Sequence, residues 1–262
     1  MTGTVKATRP RPAAPAGWTG TRLVGVVVYT LRSCIGRKRW LGLLLPCAGA
    51  LLFGLLSLAI DEPASEAFAR VAADGIFALV VPIASLVIGD AVLGAEIRSG
   101  VFHFTWLTPT PLGLIVVGRW MGGAIAGVAT VVPACVLAAV VAGHPGAAGA
   151  AAVGAAGGAL AYVAVFVAIG CVARRAAVWS LAFVFLVERL LGTALTGIAQ
   201  WSPMWEARAV FVDFAPGVPD SLAREGIPAG TGALVRLGVL CVIGLLIARR
   251  RLAHLRLSGA SD

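Results

Sequence analysis

Six stretches of the chain, roughly 41–60, 71–94, 113–142, 147–172, 177–199 and 232–250, are each apolar over about the length that crosses a bilayer. A hydrocarbon core about 30 Å thick takes about 20 apolar residues of helix. Within it every backbone N–H and C=O must be paired inside the segment, and the alternating pattern of a β-barrel is absent from these runs, so they read as helices. The fold class is an all-α integral membrane protein with six transmembrane helices, 41–250, in a multi-pass arrangement. With 59% hydrophobic residues, 13% charged residues and a mean hydropathy of +0.94, the 262-residue chain lies outside the range of soluble domains.

Charge orients these helices. Eight of the 21 Lys and Arg precede the first run (Lys6, Arg9, Arg11, Arg22, Arg32, Arg37, Lys38 and Arg39). Arg98 and Arg119 flank the turn after the second run, Arg174 and Arg175 fill the turn after the fourth, and Arg249, Arg250, Arg251 and Arg256 follow the last. The opposite loops hold Arg70, Arg208 and Arg224, and Arg189 and Arg236 fall inside runs. The positive-inside rule then puts both termini in the cytoplasm, in a cell (inner, cytoplasmic) membrane. The net charge of +9 expresses this topology and contact with anionic membrane lipid; no aromatic-interleaved basic patch points to nucleic acid.

Residues 1–20 read as a flexible, Pro/Ala-rich cytoplasmic tail rather than a signal peptide, and 251–262 as a second tail. Residues 21–40 are too short to span. Leu23, Val27, Leu31 and Cys34 share one helical face there, with Arg22, Tyr29 and Arg32 on another, which suits an N-terminal interfacial helix or an extension of the first span. The five cysteines show no CxxC spacing, and the three histidines (His103, His144 and His254) lie apart in loops and tails, so no metal site is expected. Gly123–Gly127 and Gly154–Gly158 form GxxxG pairs that allow close helix approach, either within the subunit or at a dimer seam. Glu188 and Arg189 lie about halfway along the fifth run and Asp90 near the inner end of the second. A charge at mid-bilayer costs about 2.5–3.5 kcal/mol, so these residues either form structural ion pairs or line a translocation path. Arg236 or Arg119 could partner Glu188, and Asp90 or an acidic lipid headgroup could partner Arg189. The segment 200–231, with Pro203, Pro216, Pro219 and Pro228 and the aromatics Trp201, Trp205, Phe211 and Phe214, suits an external re-entrant or interfacial element.

The turn at 95–112 mixes charge and aromatics in a way that simple chain reversal does not require: Glu-Ile-Arg-Ser-Gly-Val-Phe-His-Phe-Thr-Trp-Leu-Thr-Pro-Thr-Pro, from Glu96 to Pro111. Glu96, Gly100, Thr108-Pro109 and the following Gly118-Arg119, within this order of spans, resemble the membrane subunit of an ABC-2-type ABC transporter. The basic position here is Arg119 where that family favours Lys, and Pro111-Leu112 replaces a frequent basic residue. The resemblance implies a coupling helix held in a groove of a separate ATPase subunit, present in two copies. Glu96, Arg98, Gly100 and Pro109 would belong to that contact, with Arg119 beside it. Phe102 and Trp106, four residues apart, would be its apolar anchor, or alternatively inner-leaflet anchors. It further implies a dimer with a second permease subunit, identical or homologous, and a path near Asp90, Glu188 and Arg189. The cargo of such an exporter would be a lipid, a lipophilic drug or a peptide.

The chain contains no GxxxxGK[ST], so ATP and Mg are expected on the partner, and this subunit is expected to be neither an enzyme nor a cofactor binder. Two other classes compete. A stand-alone proton-coupled secondary exporter would use Glu188 and Asp90 as proton carriers, although no inverted repeat is evident. An intramembrane enzyme would need a nucleophile–base pair or clustered carboxylates, which the runs lack.

Overall fold

The computed structural model describes residues 19–36, 39–98, 108, 110–173 and 175–254. Gly100, Phe102, Trp106 and Pro109 lie outside the described residues, as do Arg174 and the terminal tails. Nine helical elements carry the argument: α1 (Thr19–Ile35); α2 (Arg39–Ser57); α3, which starts as Ala64–Val71 and continues unbroken to Arg98; α4 (Leu112–Val141); α5 (Ala148–Val172); α6, which starts as Ala176–Ala182 and continues to Ala194; the single turn α7 (Thr196–Ala199); α8 (Pro203–Phe214); and α9 (Gly230–His254). The described residues contain no strand.

Five helices are long and apolar enough to cross a membrane: α3, α4, α5 with the short 3-10 turn before it, α6 and α9. The chain is thus an all-helical, multi-pass membrane protein. The expected first span is shorter than the rest, its apolar stretch running Leu41–Ser57. The second begins earlier than expected, at Ala64, and contains two π-helical segments, Ala72–Val80 and Asp90–Gly94. The fifth ends at Ala194 and not near 199, because Leu195 turns to extended backbone (φ −122°, ψ 109°) before α7. Its latter half, Phe183–Leu191, is also π-helical. Inside the expected external segment, Ser202 caps α8 by accepting from the Trp205 backbone N–H at 3.5 Å, and Pro203 supplies the preset φ of the first helical turn.

The bundle is organised around α5. Its sequence, AGAAAVGAAGGALAYVAVFVAIGCV, has no polar face, as befits a helix surrounded by others. Small residues face its neighbours on several sides. A methyl group at Gly154 would meet Ala207 O of α8 at 2.9 Å, one at Gly157 would meet Leu237 of α9 at 3.0 Å, and one at Gly158 would meet Val81 of α3 at 3.2 Å. Gly123 of α4 lies against Val92 of α3 and Val163 of α5. Both GxxxG pairs read from the sequence therefore pack within the subunit. Between helices in lipid, van der Waals contact of this kind is the main source of association.

A third pair, Gly118 and Gly122, seats α1 on α4. A Cβ at Gly118 would lie 2.9 Å from Val26 Cγ1, and one at Gly122 would lie 2.6 Å from Thr30 Cβ and 2.9 Å from Val27 O. The packed face of α1 thus runs through Val26, Thr30 and Cys34. We predict that Gly122→Val lifts α1 from α4 and lowers stability by about 1–3 kcal/mol, the usual cost of overpacking, read as a fall in Tm of the detergent-purified chain. An unchanged Tm would show that α1 contributes little to the fold.

The bundle has two distinguishable ends. At one, the α4–α5 connection meets the segment after α8, His144 Nε2 lying 3.2 Å from Pro216 O. At the other, the start of α4 lies beside the end of α9, near Gly113 and Arg249.

Candidate functional site

At the end holding the start of α4, Arg119 is a buried arginine, 2% exposed, on the second turn of that helix. Its Nη1 and Nη2 donate to Glu96 Oε1 at 2.7 Å and Oε2 at 2.6 Å, a two-pronged pair. Nη1 also donates to Val92 O at 3.3 Å, and the guanidinium lies 4.6 Å from the centre of the Tyr29 ring. One side chain thereby joins α1, the end of α3 and the start of α4. The planar guanidinium suits this role because its fork matches a carboxylate while its face stacks on an aromatic ring. The two charged residues that the sequence assigned to the coupling turn and its flank, Glu96 and Arg119, bind each other and close the base of the 95–112 segment. Arg98 ends α3, and Asp90 begins the second π-helical segment, half-buried.

Glu188 lies in the π-helical part of α6 and is fully buried. Its partners differ from those expected. Neither Arg119 nor Arg236 reaches it, since the first is taken by Glu96 and the second by Glu206. Instead Tyr162 Oη donates to Oε2 at 2.5 Å, Ser202 Oγ donates to Oε1 at 2.6 Å, and the Met204 backbone N–H donates to Oε1 at 3.2 Å. Met204 is in the first turn of α8, so the carboxylate sits at a helix N-terminus where free N–H groups and the helix dipole favour an anion. Trp205 Nε1 adds a 3.4 Å bond to Glu188 O. The cage ties α5, α6 and α8 together with neutral donors alone. Arg189 is one residue further and partly exposed, and its side chain has no hydrogen-bond or ion-pair partner among the described residues.

A second buried carboxylate on α8 was not singled out by the sequence. Glu206 is fully buried; Arg236 Nη1 of α9 reaches its Oε1 at 3.3 Å, and its Oε2 has no partner. Burial pushes its pKa up to about 7, against the opposing pull of Arg236. The folded-state pKa is therefore above the unfolded one. The resulting stabilisation is fully present below the ordinary glutamate range and is lost as pH rises through about 7. The Tm should accordingly fall between pH 5 and pH 8, and Glu206→Gln should flatten that slope. A slope unchanged by the substitution would assign the pH dependence to another group.

Beside α8 lies a cavity of about 250 Å³, lined by Trp205, Arg208, Asp213, Leu222, Arg224 and Ile227 among others. A larger groove of about 730 Å³ runs between α5, α6 and α9, walled by apolar side chains such as Ile169, Trp179, Phe183, Leu186, Leu240 and Ile247. Among the described residues no group of three His, Cys, Asp or Glu is arranged to hold a metal.

Tyr162 and Ser202 are the functional-site residues that sequence reasoning missed. The Ser202-Pro203 step carried a helix-start signal, and Tyr162 is one of only two tyrosines in the chain, placed in an otherwise apolar run. No family model matches the sequence, and no significant match is found among curated proteins.

Proposed function

We propose that this chain is the membrane-spanning permease subunit of an ATP-driven transporter of the ABC-2 type, working with two copies of a separate ATPase and a second permease subunit in the cell membrane. The single observation that carries this reading is the buried Glu96–Arg119 pair under Tyr29, at the base of the 95–112 segment. A segment that only reverses the chain has no need of a clamp joining α1, α3 and α4. A segment that receives force from an ATPase does need one, because movement of its base is then passed to three helices at once. ATP and Mg would be held by the partner, whose phosphate cradle this sequence lacks.

Arg189 supports an assembly of more than one copy. Its side chain has no partner among the described residues, and it lies on α6, the least buried of the five long helices, which exposes Val178, Leu181, Phe185 and Leu190. Such a residue in a membrane helix usually faces a bundle interior or a wet cavity, and a second subunit against α6 would supply one. The apolar groove between α5, α6 and α9 suits export of a lipid or a lipophilic compound. Purification from the native membrane in mild detergent, followed by mass spectrometry, tests the proposal: a P-loop ATPase should accompany the chain, and Gly100→Trp should release it. Isolation of the chain with no ATPase at any stoichiometry would defeat the reading.

A second reading, a proton-coupled exporter, is favoured by one observation, the buried Glu206 with its free Oε2. Transport that follows an imposed proton gradient without ATP, and that is lost in Glu206→Gln, would support it.

A further inference from the structure

The segment between α6 and α9 places two arginines over one tryptophan. Arg208 on α8 and Arg224 in the following loop place their guanidinium carbons 5.0 Å and 4.2 Å from the centre of the Trp205 ring. Arg189 on α6 is near enough to Arg208 to act on it through its charge. Burial lowers the pKa of Arg208, and the like charges of Arg224 and Arg189 lower it further, which Asp74 opposes. These positions are held firmly. Arg208 Nη1 is bonded to Asp74 Oδ1 at 2.9 Å and Nη2 to Leu222 O at 3.4 Å. Arg224 Nη2 donates to Thr193 O at 3.0 Å, and the loop is pinned again where Gln200 Nε2 donates to Gly226 O at 2.7 Å.

The acidic groups nearby are more exposed to water than the guanidinium of Arg208. Asp74 is 58% exposed and pairs with Arg208, Asp213 lines the cavity from an exposed position, and Glu225 is exposed next to Arg224. Arg208, by contrast, is only 14% exposed, and its Nε is buried with no hydrogen-bond partner. A buried guanidinium donor left without a partner calls for an explanation, and here it belongs to an arginine that lines a cavity beside a second arginine. The cavity, at about 250 Å³, is below the usual range for a drug-sized ligand and fits a small charged group. Exposed Trp201 and Phe214 flank the segment, the residue types that mark the membrane–water boundary where lipid headgroups lie.

We propose that the cavity beside Trp205 binds a phosphate group, held by Arg208 and Arg224 with Arg189 adding long-range attraction. A phospholipid headgroup and a small soluble phosphate both present this chemistry, and the site is independent of any ATPase partner. Arginine forks match phosphate oxygens in pairs, and the ring of Trp205 holds the two forks in place.

The full chain, purified in detergent, tests this by tryptophan fluorescence titration with a short-chain phosphatidylglycerol and, separately, with inorganic phosphate. A saturable change that disappears in Trp205→Phe is expected with at least one probe. Response to the lipid alone identifies a headgroup site; response to both identifies a general phosphate site. Arg224→Gln, which removes the hydrogen bond to Thr193 O and breaks no ion pair among the described residues, should weaken binding about 10-fold or more, the scale of one charge-assisted contact, with a fall in Tm no larger than one exposed hydrogen bond accounts for. Arg189→Gln should weaken it by less. Absence of saturable binding by either probe, a signal that persists in Trp205→Phe, or an affinity unchanged in Arg224→Gln would overturn the proposal.

Discussion

Replacing Arg119 with leucine should cost about 3–5 kcal/mol of stability, the range seen when one partner of a buried ion pair is removed. The guanidinium is 2% exposed and its Glu96 partner 12%, so the carboxylate left behind can regain little water. Val92 O loses a donor and the Tyr29 ring loses its cation in the same step. Arg119→Lys keeps the charge without the fork or the planar face, and should fall between leucine and the wild type. Combining Arg119→Leu with Glu96→Leu should recover part of the loss, because the stranded charge is gone. Thermal unfolding of the detergent-purified variants measures all four states. Equal Tm values for wild type and Arg119→Leu would show that the pair is solvated in solution and does not clamp the three helices.

The second large effect is expected at Glu188. Leucine there leaves Tyr162 Oη, Ser202 Oγ and the Met204 N–H without their acceptor in a dry site, at a cost of about 1–3 kcal/mol for each donor that finds no replacement. Since these groups belong to α5 and α8, the visible consequence should be loosening of α8. Trp205, which is 8% exposed and bonded to Glu188 O, should then show red-shifted emission, and the 195–203 connection should become open to protease. Glu188→Gln retains one acceptor oxygen and nearly the same shape, and should cost far less. A similar loss for glutamine and leucine would mean that the negative charge itself, held by the α8 N-terminus, carries the stability.

The contrast between these two residues shows what the sequence could reveal. The apolar runs located the five long apolar helices, because bilayer thickness and backbone hydrogen bonding leave little choice of structure, whereas the first of the six expected spans is a shorter apolar helix, Leu41–Ser57. Their ends were less legible. Leu195 breaks α6 and Ala64 starts α3 through local turns that do not alter the apolar character of either run. Glu96 and Arg119 were recognised together as parts of a motif, but their contact with each other depends on α3 and α4 lying side by side across an intervening 95–112 segment. For Glu188 the error was chemical: a buried acid was assigned to a basic partner, whereas its donors are two hydroxyls and a backbone N–H. Such a cage leaves little trace in charge patterning, although Ser202-Pro203 marked the helix start that builds half of it. Gly118 was likewise read as part of the Gly118-Arg119 motif, and its pairing with Gly122 under α1 went unseen.

The measurement that tests the transporter reading most directly is site-specific photo-crosslinking in the native membrane. A photoreactive amino acid placed at Phe102 or at Trp106, the two proposed anchors of the 95–112 segment, records what touches that segment. The account predicts a crosslinked product containing a P-loop ATPase, diminished by Arg119→Leu at equal expression because the base of the segment is no longer held. Crosslinks to lipid or to a second copy of the chain alone, from both positions, would contradict it.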